Sequence, residues 1–105
     1  MSTPPPGSEA NRRSEILRRA RAVPEGFVAT YGDLCPGAPR HAGNVLADCE
    51  DPEVPWQRIV AADGSLRQGA RQRRLLDAEG VPFRGKRVEM SVARVLAEAL
   101  DGARR

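Results

Sequence analysis

The stretch TYGDLCPGAPRHAGNVLADC, residues 30–49, decides the fold that we expect for this chain. Thr30 is a suitable N-terminal cap for a short helix, and Pro36 and Gly37 then stop that helix. Pro39 suits the first position of a second helix, in which apolar residues at 42, 45, 46 and 49 would form one buried face. Two short helices joined by a tight turn are typical of a helix-turn-helix.

The sequence on either side predicts further short elements around this unit. A helix is expected from Asn11 to Val23, an extended segment over residues 27–30, a strand at Ile59 and Val60, and a small hairpin or a loop around Gly85. The predicted fold class is a small single α/β domain, mostly helical, with a winged-helix-like helix-turn-helix. We expect this domain to occupy residues 11–105, and the Pro/Ser/Gly-rich residues 1–10 to be a disordered tail.

Two more helices are predicted towards the C-terminus. The first, ARQRRLLDAEG, carries apolar side chains at Leu75, Leu76 and Ala78 and ends at Gly80. The second, SVARVLAEAL, has apolar residues at 92, 95, 96 and 100, which is a helical spacing, so one continuous helix is expected over residues 91–100.

Composition limits the possible classes of protein. The 105 residues suit one domain, and the 40% apolar and 30% charged residues are ordinary for a soluble globular protein. No apolar run approaches the roughly 20 residues of a membrane span, and the N-terminus lacks the regions of a secretory signal. We therefore expect a cytoplasmic protein with no membrane partner.

The charge of the chain favours an anionic partner. The net charge is +3 and the pI is about 9.5, and Lys86 is the only lysine, so arginine supplies nearly all the positive charge. The planar guanidinium group suits phosphates and base edges. Cys35 and Cys49, with a single histidine, do not form a zinc-binding pattern, so we expect free buried thiols and neither a metal nor a cofactor.

Four motifs, taken in order, resemble the DNA-binding domain of the O6-alkylguanine-DNA alkyltransferases. They are VPEGFVATYGDL, PRHAGNVL, VPWQRIVAADGSL and LLDAEGV, within residues 16–88. In that family an opening like IPxGxxxTYGxLA precedes a recognition helix ARxVGxAM, an active site PCHRV and a helix that ends LLxxEG. The order and spacing of the motifs carry the resemblance.

The chain departs from this family at the active site. The family's acceptor cysteine falls on Trp56, and the histidine that helps to activate it falls on Gln57. Alkyl transfer needs a thiolate beside a base, whereas tryptophan has no nucleophilic atom and glutamine accepts no proton at neutral pH. The resemblance therefore implies a non-enzymatic alkyltransferase-like protein. Such proteins bind O6-alkylguanine in double-stranded DNA without repairing it and mark it for nucleotide excision repair.

The resemblance also implies which residues contact DNA. Arg40 falls on the arginine finger that fills the gap left by a flipped guanine, and Tyr31 on the tyrosine that rotates the target nucleotide through its 3′ phosphate. Small residues would let the recognition helix approach the minor groove. The implied DNA-binding residues are Tyr31, Arg40, Thr30, Ala42, Gly43 and Asn44.

A lesion pocket is implied beside these residues. Trp56 would pack against the flipped base, Arg58 would support the pocket, and Tyr31 would form part of its wall. In some alkyltransferase-like proteins an arginine beyond the Gly-turn senses the electronic character of the base. Arg67, in the short loop SLRQGARQ, is the expected equivalent, and a cation over a purine face gains roughly 0.5–2 kcal/mol.

Two other classes of protein stay open from the residues alone. A helix-turn-helix transcriptional regulator would share the basic charge, but it would read sequence in the major groove, usually as a dimer. No dimerisation heptad is visible, so we expect a monomer. An enzyme that uses Cys35 or Cys49 is the other alternative, which the acidic residues beside Cys49 disfavour because they oppose formation of a thiolate.

Overall fold

The structure, a computed structural model, describes residues 9–102. The predicted tail therefore lies mostly outside the described residues, and the first helix begins two residues before Asn11. The elements in chain order are α1 (Glu9–Ala22), β1 (Ala29–Thr30), α2 (Tyr31–Leu34), α3 (Pro39–Asp48), a 3₁₀ helix (Trp56–Arg58), β2 (Ile59–Val60), α4 (Gly69–Ala78), β3 (Phe83–Arg84), β4 (Arg87–Val88), α5 (Met90–Ala93) and α6 (Ala97–Gly102). The small, mostly helical α/β fold is confirmed.

The helix-turn-helix is formed by α2 and α3 as predicted. Thr30 caps α2, because its hydroxyl accepts a hydrogen bond from the Asp33 amide while the Asp33 carboxylate accepts one from the Thr30 amide, both at 3.0 Å. Gly37, at φ +84°, lies in the turn to α3 in a conformation that favours glycine. The turn therefore sets the direction in which α3 leaves α2.

Short parallel pairings join distant parts of the chain behind this unit. Ala29 and Thr30 of β1 pair with Ile59 and Val60 of β2. On the other side, Val28 forms a parallel bridge with Arg94. Tyr31 follows directly after β1, and Trp56 begins the short helix that leads into β2, so this backbone pairing fixes both aromatic residues.

Two apolar clusters form the core. The larger lies between α1, α2, α3 and α6 and includes Ile16, Leu34, Val45, Ile59 and Leu100. The smaller packs Leu76 of α4 against Val88 of the antiparallel β3–β4 hairpin and against Val60 of β2. Within residues 9–102, no helix is both long and apolar enough to cross a membrane.

The continuous helix predicted over residues 91–100 is wrong. The chain breaks between α5 and α6 because the Val95 amide donates to the Val28 carbonyl at 2.8 Å, and the Val28 amide donates to the Ala93 carbonyl at 2.9 Å. These bonds hold Arg94 extended beside Val28, between the end of α5 and the start of α6. Val92 and Leu96 are consequently 64% and 50% exposed, and Leu100 alone of the predicted stripe is fully buried.

The buried face of α4 also differs from the prediction. Leu76 is buried, but Leu75 and Ala78 are exposed, and the second buried position is Gln72. The Gln72 amide donates to the carbonyls of Gln57 and Ile59 at 3.0 and 2.8 Å, so burial leaves no polar group without a partner. Apolar spacing could not identify this position.

Candidate nucleic-acid interface

A cavity of about 200 Å³ lies between the helix-turn-helix and the start of α4. Trp56 is half-buried in its wall, at the first residue of the 3₁₀ helix. The lining residues are Tyr31, Gly43, Leu46, Ala47, Trp56, Gln68 and Arg71. The wall thus combines two aromatic rings, a small-residue edge of α3 and one guanidinium group.

A wider groove of about 440 Å³ adjoins this cavity on the exposed side of α3. Tyr31, Gly43 and Gln68 border both spaces, so the two adjoin at the tyrosine. The groove is lined by Tyr31, Pro39, Arg40, Gly43, Asn44, Arg67 and Gln68. A ligand lying along α3 would therefore lie next to the inner cavity.

Two arginines cover the two aromatic rings. The guanidinium carbon of Arg71 lies 5.0 Å from the centre of the Trp56 ring, and that of Arg67 lies 5.7 Å from the centre of the Tyr31 ring. Both distances fall within the range of cation–π attraction. The aromatic walls of the cavity are therefore capped by positive charge.

Arg40, Arg67 and Arg71 have no carboxylate partner within the part of the chain that the structure describes. All three side chains are exposed. Because no acidic group neutralises them, they form a positive rim around the cavity and its groove, and such a rim attracts an anionic ligand.

Tyr31 keeps its proton in this setting. Burial raises the pKa of its hydroxyl, and the positive charge of Arg67 opposes only part of that shift. A protonated hydroxyl can donate a hydrogen bond to a phosphate oxygen at neutral pH. Tyr31 thus has the chemistry that its predicted contact requires.

The segment that carries Trp56 is fixed from behind by an ion pair. Arg58 donates to both oxygens of Glu79 at 3.0 Å and to the Val23 carbonyl at 2.9 Å, and the Gln57 amide donates to Glu79 at 3.0 Å. Burial works against ionisation of Glu79, but these donors hold its pKa below the ordinary value. Glu79 at the end of α4 therefore sets the position of both residues that follow Trp56.

Several sequence-predicted residues lie together on this surface. Tyr31 and Gly43 border both spaces, Trp56 lines the inner cavity, and Arg40, Asn44 and Arg67 line the outer groove. Their roles in binding stay predictions, but the structure places them within reach of a single ligand.

Thr30 and Ala42 are placed differently from the prediction, whereas the bonds of Arg58 suit the supporting role that was expected of it. Thr30 is 3% exposed and its hydroxyl is committed to the α2 cap, so its side chain has no free surface for DNA. Ala42 is fully buried and packs in the core beneath α3. Arg58 does not line the cavity, because its guanidinium is turned towards Glu79 and Val23. These three residues support the interface from within.

Arg71 is the charged residue of the cavity lining, and it was not among the residues predicted from the sequence. The expected base-sensing arginine was Arg67, the first after the Gly-turn, yet that side chain lies over Tyr31 in the outer groove. Arg71 lies one helical turn later, in α4, over Trp56. Arg71 already lay in the helix predicted from Ala70, but the resemblance directed the prediction to the loop before that helix.

Neither cysteine lies at the cavity. Cys35 ends α2 and Cys49 ends α3, and both are half-buried against the larger core cluster. Within residues 9–102, no group of histidine, cysteine or carboxylate side chains could hold a metal ion.

Fold and surface together define a helix-turn-helix domain with a cavity behind its second helix. Residues 11–81 match the family described as "6-O-methylguanine DNA methyltransferase, DNA binding domain". The chain belongs to this family, as an alkyltransferase-like protein.

Individual relatives carry two kinds of name. A "DNA base-flipping protein" of Escherichia coli is 40% identical over 74 residues, which cover 61% of this chain and 57% of the relative. A "Methylated-DNA--protein-cysteine methyltransferase" of Methanopyrus kandleri is 44% identical over 73 residues, which cover 63% of this chain and 56% of the relative. The chain thus spans little more than half the length of these relatives.

One solved structure has a similar fold. It is that of S. pombe Atl1 in complex with damaged DNA containing O6-carboxymethylguanine, at a TM-score of 0.65 and 22% identity, covering 73% of this chain and 82% of that one. This likeness supports the fold assignment.

Proposed function

We propose that this protein recognises O6-alkylguanine in duplex DNA by flipping the damaged nucleotide into the cavity beside Trp56. The observation that carries the proposal is a set of arginines without carboxylate partners among the described residues, Arg71 at an aromatic cavity of about 200 Å³ and Arg40 and Arg67 at the adjoining groove. This volume is below the roughly 300 Å³ of the smallest drug-sized sites, so it suits a single base rather than a larger ligand.

In this proposal the outer groove contacts the DNA duplex, and the inner cavity holds the flipped base. Arg40 lies on the exposed side of α3, where it can occupy the space that a flipped base leaves, while the Tyr31 hydroxyl donates to the neighbouring phosphate. An alkylated guanine pairs weakly and is therefore cheaper to extrude than a normal one. Selectivity for the lesion arises from this lower cost together with the fit beside Trp56.

Gly43 supports close contact between α3 and DNA. Its φ is not in the left-handed region, and a Cβ at this position would make only ordinary contact with the Tyr31 ring, at 3.8 Å. Glycine inside a helix costs about 0.5–1 kcal/mol, and the folded chain gives no steric reason to accept that cost. The close approach of a DNA backbone to α3 accounts for a glycine at position 43.

We further propose that the protein binds without transferring the alkyl group. Trp56 has no nucleophilic atom, and Gln57 donates its amide to Glu79 instead of acting as a base. A protein that holds a lesion without repairing it must pass it to other proteins, and we propose nucleotide excision repair for this step. We also propose that it acts as a monomer in the cytoplasm, on the nucleoid.

The first experiment compares affinity for matched duplexes with guanine or O6-methylguanine, using wild type and Arg40→Ala. The variant should lose roughly 1–3 kcal/mol of affinity for the lesion duplex and less for the unmodified one, because Arg40 acts in the flipped state. The fluorescence of 2-aminopurine placed beside the lesion, which reports flipping, should be lower with the variant than with the wild type. Equal losses on both duplexes would make Arg40 an ordinary phosphate contact. Absence of lesion preference in the wild type would overturn the proposed function.

The second experiment tests for transfer. An excess of protein is incubated with a methylated duplex, and both DNA and protein are analysed by mass spectrometry. The methyl mark should persist, with no mass gain on Cys35 or Cys49, and Trp56→Cys alone should transfer little because Gln57 provides no base. Stoichiometric methylation of the wild-type protein would contradict the proposal, and preferred binding of a particular sequence would instead favour a transcriptional regulator.

A further inference from the structure

We propose that the hairpin of residues 83–88, called here the basic hairpin, is a second contact for the DNA backbone, to one side of the lesion cavity. This inference rests on the proposed DNA binding, and the hairpin lies beyond residues 11–81, the part of the chain that matches the family.

Like charges face each other across the basic hairpin. Arg84 of β3 and Arg87 of β4 are directly opposed in the antiparallel register, and Lys86 lies in the turn between them. Like charges at directly opposed positions destabilise a strand pair. The hairpin thus contains an arrangement that costs stability and that the fold itself does not use.

The carboxylates near these arginines compensate only weakly. Arg84 lies 3.9 Å from Glu89 with its side chain 85% exposed, and Arg87 lies 3.6 Å from Asp63 with its side chain 64% exposed. At such distances and exposures, ion pairs contribute little. Lys86 has no carboxylate partner within residues 9–102. An anionic partner with regularly spaced charges would relieve the repulsion.

The hairpin is held rigidly and presents these cations outward. Phe83 and Val88 form the opposite face and pack against the smaller core cluster, so alternation directs the arginines to solvent. Gly85, at φ +64°, is the first central residue of the two-residue turn, as a type II′ turn requires. Arg73 of α4 lies 3.7 Å from the Phe83 ring centre and donates to the Gly85 carbonyl at 2.9 Å.

The hairpin lies one helix width from the lesion cavity. A shallow space of about 410 Å³, lined by Ser65, Leu66, Gly69, Ala70, Arg73 and Lys86, separates the turn from the start of α4. Arg71, on the other side of that helix, lines the lesion cavity. Since a helix is about 10 Å wide and a base pair rises about 3.4 Å, the hairpin would meet phosphates at least roughly three base pairs from the flipped nucleotide.

The test uses a triple variant, Arg84→Gln/Lys86→Gln/Arg87→Gln, and a control that removes the same charge from α1, Arg12→Gln/Arg13→Gln/Arg21→Gln. The α1 residues line none of the spaces described above. Affinities are measured over a range of salt concentrations for lesion and unmodified duplexes. The unfolding midpoint of each variant is measured alongside.

The hairpin variant should bind both duplexes about tenfold more weakly at low salt, with an unchanged lesion preference. Its plot of log affinity against log salt should be shallower by about 2–3, because each lost phosphate contact removes nearly one unit of slope. The control should keep the wild-type slope, and removing opposed like charges should not lower the unfolding midpoint of the hairpin variant.

Truncated duplexes locate the contact. Shortening the DNA to about two base pairs on one side of the lesion should abolish the difference between wild type and hairpin variant, and shortening the other side should preserve it. An unchanged salt slope in the hairpin variant, or an equal drop in the α1 control, would overturn the inference. If the wild type bound all duplexes without lesion preference, the proposed function would fail while the hairpin contact would still be measured.

Discussion

Arg58 and Arg71 lie on either side of the segment that carries Trp56, yet their surroundings differ. Arg58 forms two hydrogen bonds with Glu79 and a third with the Val23 carbonyl, and its side chain is 18% exposed. Arg71 is exposed, lies over the Trp56 ring and has no carboxylate partner among the described residues. The guanidinium group of Arg58 is hydrogen-bonded within the fold, whereas that of Arg71 is available to bind a ligand.

The same division extends over the molecule. Outside the lining of the cavity and groove, Arg18 and Arg19 of α1 share Asp101 of α6, and their hydrogen bonds lower its pKa to about 2. In that lining, by contrast, arginines lie beside aromatic rings, and none of the described lining residues is a carboxylate. A basic pI alone therefore says little about binding. The pairing of each arginine indicates whether its charge is available.

The largest expected effect concerns Arg58. Arg58→Met should lower the free energy of unfolding by about 2–4 kcal/mol, because it leaves the largely buried Glu79 carboxylate without its main partner. Arg40→Met, the same substitution on the rim, should change stability by no more than about 0.5 kcal/mol. Chemical denaturation measures both. Equal destabilisation by the two variants would break the distinction between paired and rim arginines.

A smaller effect is expected at Arg94, which donates to both oxygens of Asp33 at 2.9 and 3.0 Å. Burial opposes ionisation of Asp33, yet bonds from Arg94 and Thr30 hold its pKa below the ordinary value. Arg94→Gln should cost about 1–2 kcal/mol near neutral pH, a value reduced because Arg94 is itself 39% exposed on its side chain.

The sign of the pH dependence follows from that lowered pKa. The ion pair of Asp33 contributes fully to the free energy of unfolding above the pKa of this carboxyl in the unfolded chain, about 3.9. That contribution is lost as the pH falls through its pKa in the folded protein. The gap in stability between wild type and Arg94→Gln should therefore narrow between neutral pH and about pH 3. Denaturation at several pH values measures it, and a gap that widened in acid would contradict this role of the ion pair.

Much of the fold was predictable because local signals and tertiary structure agree. Thr30, Gly37 and Pro39 determine the helix-turn-helix through caps and turn geometry, which depend on neighbours in sequence. The break in the helix over residues 91–100 was not predictable, because its cause is a bond from Val95 to Val28, 67 positions away in sequence. Apolar spacing could not reveal that competing partner.

Part of the candidate site could likewise be predicted from the sequence, and part could not. The family motifs placed Tyr31, Arg40 and Trp56 around one surface, and the structure brings them there. Which arginine covers Trp56 depends on how α4 packs, and the buried Gln72 fixes that helix through bonds to the Gln57 and Ile59 carbonyls. Apolar spacing did not reveal this polar anchor.

The smallest expected effect separates these two rim arginines. Arg71→Gln should reduce the preference for O6-methylguanine over guanine by about 0.5–1 kcal/mol, since its cation faces the cavity beside Trp56. Arg67→Gln should weaken binding to both duplexes alike, because Arg67 lies over Tyr31 in the outer groove.

Trp56 is the only tryptophan, so its emission reports on the cavity directly. Arg71→Gln should alter the emission of the free protein, while Arg67→Gln should leave it unchanged. If Arg67→Gln lost the lesion preference and Arg71→Gln kept it, the outer groove and not the Trp56 cavity would be where the base is read.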